Sequence, residues 1–233
     1  MPLTEDDLLY LDKHLVAIHK PSGLSVHRGW DQGERFALQE TRDLVGQYVY
    51  PVHRLDRPTS GVLVFALSSE GAKGLQESLQ AENTRKRYLA LVRGIPDEVG
   101  VIDHAIPARS GGDRVEARTS FRRLCTVLNR YSLVEATLHT GRLHQIRRHF
   151  KHISHPLIGD TKYGKGEHNR LFRAEYNLTR LALHAFHLSF DHPVTGERLT
   201  LLADFPEDLT KPFEEMGVSE DCWRSLLKVE EQD

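Results

Sequence analysis

Alternation of apolar and polar residues predicts several short β-strands in the first part of the chain. Apolar runs within LLYLD and LVAIHK, residues 8–20, predict two strands of this kind. The run GVLVFALS, residues 61–68, has no charge and several β-branched residues, which is typical of a strand buried on both faces. In RKRYLALVRG, residues 85–94, strict alternation places Tyr88 on the same face as Ala90.

Helical periodicity and further strand patterns follow along the rest of the chain. The predicted helices span residues 37–48, 70–82 and 143–153, with another in the acidic tail. The predicted strands span residues 115–140, as a hairpin that turns near Asn129–Arg130, and residues 180–190 and 198–205. Because strands and helices do not alternate regularly, the pattern predicts an α+β fold rather than a doubly wound one. No linker rich in Pro, Gly or Ser interrupts the chain, so we expect a single domain over residues 1–233.

Charge is unevenly distributed, although the net charge of the 233 residues is only −2. Between Gly141 and Arg173 there are eight Lys and Arg residues against two acids, together with five histidines. From Asp204 to Asp233 the balance reverses to three Lys and Arg residues against ten acids. A basic segment in an otherwise acidic protein favours a local surface for a polyanion such as nucleic acid. A solvated surface of mixed charge is the alternative interpretation.

Cysteine usage and the N-terminus limit the possible compartments and sites. Cys125 and Cys222 are far apart in the sequence and form no CxxC pair, which argues against a disulfide scaffold or a cysteine-rich zinc site. The acidic N-terminus lacks the pattern of a signal peptide. No apolar run approaches the ~18 residues that span a bilayer. These features predict a cytoplasmic protein that does not bind membranes.

Two other patterns could indicate a bound metal or nucleotide. His149, His152 and His155 recur at every third position, but no acid or cysteine accompanies them as a further ligand, so no metal is predicted. The segment GKGEHNR, residues 164–170, follows no predicted strand and has no Ser or Thr after its lysine. A phosphate-binding loop for a nucleotide is therefore not predicted.

The predicted helix at residues 143–153 combines an apolar stripe with a concentration of positive charge. At ~100° per residue, the stripe contains Leu143, Ile146, Phe150 and Ile153. Arg147 falls at the margin of this stripe, where a buried guanidinium needs an acid as its partner. Either Asp56 or another acid near the core could supply it. The residues that point outward, as a surface suited to phosphates, are His144, Arg148, Lys151 and His152.

The stretch VHRLDRPTSG, residues 52–61, places Asp56 between Arg54 and Arg57 in a turn-forming sequence. An exposed cluster of salt bridges is one interpretation of this pattern. The other is a carboxylate that must stay ionised beside a strongly anionic ligand, with Arg147 as the partner that keeps it so.

Five segments, in this order, resemble motifs of the RluA family of RNA pseudouridine synthases. They are HRLDRPTSGV (53–62), KRYLALVRG (86–94), TGRLHQIRRH (140–149), HPLIGDTKYG (155–164) and RLALHAFHLSFDHP (180–193). The resemblance extends from about Asp12 to about Phe205. It implies a pseudouridine synthase fold, in which a mixed, largely antiparallel sheet is flanked by helices and loops and carries a central RNA-binding cleft.

The resemblance also implies a reaction, the isomerisation of a specific uridine in RNA to pseudouridine without a cofactor. In this family the aspartate of the first motif, here Asp56, is the catalytic carboxylate, and the resemblance assigns Arg147 to an ion pair with it. Asp56 could attack C1′ of the ribose, attack C6 of the uracil, or remove the C2′ proton. All three routes need an ionised carboxylate in a mostly dry pocket.

Chemistry on a base inside folded RNA requires the base to be extruded, at a cost of a few kcal/mol. By resemblance, Arg54 fills the vacated space in the RNA stack and Tyr88 stacks on the extruded uracil. Without the motif, a tyrosine in an apolar strand would be interpreted as a core residue. The residues that we expect to contact the RNA backbone are Arg57, Arg142, His144, Arg148 and Lys151.

Two features favour tRNA as the RNA partner. Relatives that act on ribosomal RNA often carry an N-terminal S4-like module, whereas here the catalytic segment starts almost at Met1. Residues 26–34 and 159–178 most resemble the family members that modify uridine 65 of tRNA. We expect the segment from Gly164 to Arg180 to be either a loop that contacts tRNA or a basic surface excursion. The protein is predicted to act as a monomer without an obligate protein partner.

Other functions explain parts of the sequence. The same chemistry on ribosomal RNA is one alternative, and a non-catalytic RNA-binding relative is another, although every catalytic-motif residue is present. A glycosidase or nucleosidase would also use Asp56, but such hydrolases need a second carboxylate or a metal to activate water, and the second and third motifs supply no acid. A purely structural protein would leave Arg147 and the turn at Asp56 unexplained.

Overall fold

The computed structural model describes residues 2–28, 35–108 and 112–228. The chain forms two compact units, each assembled from two separate segments. Unit 1 consists of Met1–Arg85 and Ala185–Asp204, and unit 2 consists of Lys86–His184 and Phe205–Asp233. The single domain expected over residues 1–233 stays a prediction. Within the described ranges, none of the helices has both the length and the apolar character that a membrane span requires.

Twelve strands and six helices follow one another along the described residues. The strands are β1 (Leu8–Leu11), β2 (Leu15–Lys20), β3 (Tyr50–Pro51), β4 (Ser60–Ala66), β5 (Arg85–Arg93), β6 (Val99–Asp103), β7 (Ile106–Pro107), β8 (Arg114–Val115), β9 (Arg118–Val127), β10 (Tyr131–Leu138), β11 (Leu183–Asp191) and β12 (Arg198–Leu202). The helices are α1 (Ala37–Val45), α2 (Ser69–Gln80), α3 (Gln145–His152), α4 (Gly166–Tyr176), α5 (Glu207–Glu215) and α6 (Asp221–Arg224). Strands and helices mix without regular alternation, so the predicted α+β class is confirmed.

The sheet of unit 1 has the strand order β1-β2-β4-β11, with β3 beside β4 and β12 beside β11. Every residue of β4 is buried, which confirms the buried strand predicted from its uncharged sequence. Val64 of β4 lies in one core cluster with Leu75 of α2 and Phe190 of β11. The core of this unit therefore forms where α2 covers the sheet.

Gly61, which ends the stretch HRLDRPTSG, has a packing function in unit 1. Its backbone has φ +118°, and a Cβ atom at this position would collide with the carbonyl oxygen of Ala185 in β11. Only glycine allows such a close approach without a steric penalty. The residue therefore lets β4 start in register directly after the turn that carries Asp56.

The sheet of unit 2 has the strand order β5-β10-β9-β6. The hairpin of β9 and β10 turns at residues 128–130, where Leu128 and Asn129 have left-handed backbones with φ angles of 51° and 53°. This confirms the turn predicted near Asn129–Arg130. Tyr88 of β5 lies opposite Ala136 of β10 in the antiparallel register.

Helix α3 begins at Gln145, two residues later than predicted. The side-chain Oε1 of Gln145 accepts hydrogen bonds from the Thr140 hydroxyl at 2.7 Å and from the Arg142 amide at 3.0 Å. These bonds fold the preceding residues into a turn, in which His144 has a left-handed backbone with φ 54°. Leu143 lies in this turn and is 44% exposed, so its predicted place in the apolar stripe is wrong.

The other residues of the α3 stripe pack as predicted. Ile146 and Phe150 are buried in one cluster with Ala90 and Val92 of β5, and Ile153 packs at its edge. Within unit 2, α3 and β5 therefore share one hydrophobic core.

Residues 166–176 form helix α4, where we expected a loop or a surface excursion. The helix buries His168 and Phe172, which are four positions apart and so share one face. His168 Nδ1 forms a hydrogen bond of 2.8 Å with the Tyr131 hydroxyl, and the Phe172 ring meets the Tyr131 ring edge-on. One face of the segment is thus anchored on β10, and the opposite face is exposed.

The acidic tail is helical as predicted, in α5 and α6, while residues 229–233 lie outside the described residues. Cys222 of α6 and Cys125 of β9 are free thiols despite their proximity. Burial, together with a hydrogen bond between the two thiols, raises the pKa of Cys125 to about 12. Cys125 is therefore protonated and weakly reactive at neutral pH.

Candidate catalytic and anion-binding residues

Asp56 lies in a tight turn between β3 and β4 of unit 1. The amide of Thr59 donates a hydrogen bond of 2.9 Å to the carbonyl oxygen of Asp56, which closes the turn. Leu55 is buried beside it, whereas Asp56 itself is half-buried. The flanking Arg54 and Arg57 are exposed. The turn thus presents one carboxylate between two accessible guanidinium groups.

A buried lysine supports this turn from beneath. The Nζ atom of Lys20 donates hydrogen bonds to the carbonyl oxygens of Pro21 at 2.8 Å, Leu24 at 2.7 Å and Arg57 at 3.2 Å. The ammonium group is fully buried, so these carbonyl groups replace the water it has lost. The hydroxyl of Ser22 adds a bond of 2.9 Å to the Pro58 carbonyl. The backbone around Asp56 is therefore held to the end of β2 by hydrogen bonds.

Our sequence reasoning missed Lys20. The only signal is a lysine that ends an apolar strand directly before Pro-Ser-Gly. Such a residue is otherwise expected to be exposed, because lysine is almost never fully buried without partners.

Arg57 and His53 also have backbone partners within unit 1. Arg57 donates from Nε to the Gly23 carbonyl at 3.0 Å. His53 accepts a hydrogen bond of 2.9 Å at Nε2 from the amide of Val64 in β4. Both side chains help to fix the turn, and the predicted contact of Arg57 with RNA phosphates stays a prediction.

Arg147 of α3, in unit 2, is a buried arginine with an acid as partner, as the sequence predicts. It donates from Nε to Asp160 Oδ2 at 2.8 Å and from Nη2 to Asp160 Oδ1 at 2.9 Å. Arg147 is 6% exposed and Asp160 is 1% exposed, so the bidentate pair lies inside the unit. The predicted ion pair between Arg147 and Asp56 stays a prediction.

The Asp160 carboxylate is held in its ionised form by several donors. Burial alone would raise its pKa, but the hydrogen bonds from Arg147 and from the amides of Tyr163 and Lys162 outweigh that effect. The pKa of Asp160 therefore lies below its ordinary value. Sequence reasoning missed this residue, although the motif HPLIGDTKYG contains it.

The turn around Asp160 is fixed by its neighbours in the chain. The amides of Lys162 and Tyr163 each donate to Asp160 Oδ1 at 2.9 Å. Asn169 of α4 accepts at Oδ1 from the Gly159 amide and donates from Nδ2 to the Asp160 carbonyl, both at 2.9 Å. Helix α4 thus fastens the turn that positions Arg147.

A close approach of the Arg180 backbone explains why a glycine, Gly159, precedes Asp160 in this turn. Its φ is +78°, and a Cβ atom there would collide with the carbonyl oxygen of Arg180. A side chain at this position would push the turn away from the strand that follows α4.

Tyr163 follows the turn and collects positive charge around its ring. Its hydroxyl accepts a hydrogen bond from Arg148 Nε at 3.1 Å and forms another of 3.0 Å with His144 Nδ1. Four cationic groups lie 5.2 to 5.8 Å from the ring centroid, those of Arg147, Arg148, Lys151 and Lys162. Each such contact contributes about 0.5–1 kcal/mol at an exposed site.

Three predicted RNA-binding residues, His144, Arg148 and Lys151, are thus brought together at Tyr163. The fourth from this region, Arg142, is exposed and donates from Nε to the Glu116 carbonyl at 3.1 Å. The sequence does not single out Tyr163 or Lys162, and no hydropathy pattern identifies them.

Tyr88 lies on β5 of unit 2 and is half-buried against the core cluster that it shares with α3. Lys86, two residues earlier in the same strand, belongs to the same face. Burial lowers the pKa of Lys86. The Lys-x-Tyr pattern of the second motif was the available signal for this residue.

His149, one of the three histidines weighed as metal ligands, is a core residue. Its Nδ1 lies 2.9 Å from the Thr119 hydroxyl and its Nε2 lies 3.0 Å from the His104 carbonyl oxygen. Burial lowers the pKa of His149, so the ring is neutral at neutral pH. Its hydrogen bonds tie α3 to the sheet.

The candidate residues fall in both units. Unit 1 contains Arg54, Asp56 and Arg57, and unit 2 contains Tyr88, Arg142, His144, Arg147, Arg148 and Lys151. Of the segment 26–34, which suggested a tRNA substrate, residues 29–34 lie outside the described residues.

Comparison with known proteins gives consistent similarities. A family model described as RNA pseudouridylate synthase matches residues 14–152. Proteins called tRNA pseudouridine synthase C from Vibrio parahaemolyticus and Haemophilus ducreyi are each 42% identical to the chain, over 91% of it and 96% of their own length. Among solved structures, Human RNA Pseudouridylate Synthase Domain Containing 4 has a TM-score of 0.74 at 26% identity, over 91% of this chain and 93% of that one. Human RNA Pseudouridylate Synthase Domain Containing 1 has a TM-score of 0.70 at 26% identity, over 87% and 85%.

Proposed function

The chain belongs to the RNA pseudouridylate synthase family, and from this premise we propose that it converts one uridine of tRNA to pseudouridine, with Asp56 as the catalytic carboxylate. The observation that carries this assignment is the turn at Asp56, a half-buried carboxylate between two exposed arginines on a cross-linked backbone. The choice of tRNA is supported by the names of relatives about 42% identical over most of the chain.

The reaction breaks the N1–C1′ bond, turns the uracil, and joins its C5 to C1′. C5 loses a proton and N1 gains one, so the ring is neither oxidised nor reduced and no cofactor is required. The carboxylate of Asp56 acts in its ionised form, by attack on C1′ or C6 or by removal of the C2′ proton. Its position in a turn held by Lys20 fixes the direction from which it approaches the base.

Arg147 is proposed as the partner that keeps Asp56 ionised. A buried guanidinium held by two hydrogen bonds to Asp160 cannot rotate freely, so its remaining N–H donors point in fixed directions. Asp160 is then a positioning residue, which acts on the reaction only through Arg147.

The remaining predicted residues are proposed to handle the RNA. Tyr88 stacks on the extruded uracil, which is supported by its half-buried position at the edge of an apolar cluster. Arg54 fills the vacated space in the RNA stack. The residues proposed to contact phosphates are Arg57, Arg142, His144, Arg148 and Lys151.

Uridine 65 is the proposed target within tRNA, and the exposed face of α4 is the proposed additional contact. We place the reaction in the cytoplasm, with the protein acting as a monomer and without an obligate protein partner. The free thiols of Cys125 and Cys222 are compatible with a reducing compartment.

The test is pseudouridine mapping, by carbodiimide modification and primer extension, on unmodified tRNA incubated with wild-type protein or with Asp56→Ala. A new stop at position 65 with the wild type alone would support the reaction, the catalytic residue and the substrate. A stop on ribosomal RNA fragments but not on tRNA would keep the chemistry and refute the target. A stop that persists with Asp56→Ala would refute the role of Asp56.

A further inference from the structure

Three of the four cations around Tyr163, those of Arg148, Lys151 and Lys162, differ from Arg147 in their ion pairing. Arg147 pairs with Asp160, but within residues 2–28, 35–108 and 112–228 no carboxylate forms an ion pair with Arg148, Lys151 or Lys162. Like charges gathered at one ring repel one another, and the face of a half-buried aromatic ring offsets that repulsion only in part. Arg148, Lys151 and Lys162 therefore offer positive charge to an anion from outside the described part of the chain.

Arg148 is held in a single orientation that suits an anion. Its Nε donates to the Tyr163 hydroxyl at 3.1 Å and its Nη1 donates to the Pro107 carbonyl at 2.8 Å. Its Nη2 has no acceptor in the described part of the chain. A guanidinium fixed in this way offers planar donors without a further loss of side-chain entropy on binding.

Lys162 is brought to the same ring by the turn at Asp160. Its amide is fixed on Asp160 Oδ1 at 2.9 Å, while its side chain is exposed and its Nζ lies 5.6 Å from the Tyr163 centroid. Lys151 reaches the ring from α3 and is also exposed. Helix α3 and the turn that follows it thus contribute charge to one surface.

We propose that Tyr163 is a positioning residue of a phosphate clamp, in which Arg148, Lys151 and Lys162 bind consecutive phosphates of the tRNA backbone. The proposal rests on the proposed function, which supplies tRNA as the polyanion. The hydroxyl of Tyr163 orients Arg148, and its ring holds the two lysines on one side of α3. Tyr163 has no part in the chemistry at the uridine.

The test uses the intact protein and the variants Tyr163→Phe, Arg148→Gln and the double variant. Tyr163→Phe keeps the ring and removes only the hydroxyl. Dissociation constants for unmodified tRNA are measured by fluorescence anisotropy over a range of salt concentrations. We expect Tyr163→Phe to weaken binding about 3- to 10-fold, which corresponds to one lost orienting hydrogen bond. Arg148→Gln should weaken binding at least as much and reduce the salt slope by about 1.

The double variant separates positioning from a general structural effect. If Tyr163 acts through Arg148, Tyr163→Phe should cost almost nothing further once Arg148 is replaced. Lys162→Gln should lower affinity and the salt slope as well. The matched control is Tyr48→Phe, which removes a hydroxyl from a tyrosine of unit 1 that is 60% exposed, and it should bind like the wild type.

If Tyr163→Phe bound tRNA with the affinity and salt slope of the wild type, the proposed phosphate clamp would be refuted. An equal loss from Tyr163→Phe in the wild-type and Arg148→Gln backgrounds would overturn it too. Pseudouridine formation by the wild-type protein is measured on the same tRNA. If the wild type binds but forms no pseudouridine, the proposed function fails, while the affinities of the variants still decide the clamp.

Discussion

Two aspartates in tight turns, Asp56 in unit 1 and Asp160 in unit 2, differ in almost every physical respect. Asp160 is 1% exposed, and its carboxylate accepts four hydrogen bonds, two from Arg147 and one each from two backbone amides. Asp56 is half-buried and lies between two exposed arginines. The turn of Asp160 holds its own side chain, whereas the turn of Asp56 is held by Lys20 through backbone carbonyls.

The difference distinguishes a carboxylate that organises structure from one that can react. Oxygen atoms that accept several hydrogen bonds in a closed site are poor nucleophiles and have no access to a base. A half-buried carboxylate in a turn held by its backbone is better placed to meet a substrate. The contrast supports the proposed roles, in which Asp160 positions Arg147 and Asp56 is the catalytic carboxylate.

The largest effect is expected from removing the negative charge of Asp56. Asp56→Asn should lower the rate of pseudouridine formation by about 10³-fold or more, because the amide is not a nucleophile or a base. Stability should change by only about 1 kcal/mol, because Asp56 is half-buried and its turn is held by Lys20 and by backbone hydrogen bonds. Single-turnover assays and urea unfolding measure the two quantities. Loss of the fold together with activity would erase the contrast with Asp160.

The second largest effect is expected for Asp160→Asn, which should lower stability more than it lowers the rate. Asp160→Asn removes the carboxylate that holds the buried Arg147 by two hydrogen bonds, so the free energy of unfolding should fall by about 3–5 kcal/mol. Urea unfolding measures it, and Glu207→Gln, in an exposed pair with Lys211, is the control that should have little effect. A variant as stable as the wild type would mean that Asp160 does not hold Arg147.

A smaller effect concerns pH. The folded pKa of Asp160 is lowered, so its contribution to stability is complete above the unfolded pKa of about 3.9 and is lost as the pH falls through the folded pKa. The difference in unfolding free energy between the wild type and Asp160→Asn should therefore be constant near neutral pH and shrink below about pH 4. Urea unfolding at several pH values follows it. A difference that grows on acidification would contradict the assignment.

The smallest effect is expected from replacing Arg57, the arginine that follows Asp56 in its turn. Arg57→Gln should weaken tRNA binding only about 2- to 5-fold, because a single phosphate contact is lost and Arg57 Nε is already bonded to a carbonyl. The salt slope should fall by about 1. Anisotropy titrations at several salt concentrations measure both, with Tyr48→Phe as the control. An unchanged salt slope would remove Arg57 from the RNA contacts.

Local patterns predicted the elements well, because a strand such as β4 or a hairpin such as β9–β10 depends on neighbouring residues. They failed where a distant side chain decides the geometry. Leu143 leaves the apolar stripe because the Gln145 side chain folds the residues before it into a turn. Residues 166–176 are helical because His168 and Phe172 pack on Tyr131 of β10, which lies far away in the sequence.

For the candidate site residues too, local patterns were informative and partners from other parts of the chain were not predicted. The motifs identified Asp56, Tyr88 and Arg147 through their resemblance to a family, and the helical periodicity predicted that Arg147 needs an acid. That the acid is Asp160 follows from a turn fastened by Asn169, which no periodicity describes. Tyr163 and Lys20 were missed for a related reason, since their partners are backbone carbonyls and cations contributed by other segments.

The division of each unit between two chain segments has a consequence for biosynthesis. Unit 1 needs residues 185–204 and unit 2 needs residues from 205 onward, so neither unit is complete until most of the chain has left the ribosome. The early segment, with β1, β2 and β4, must wait for β11 with its strand edge unpaired. Such a nascent chain is expected to fold late, and to depend on chaperones or rapid translation of its last third.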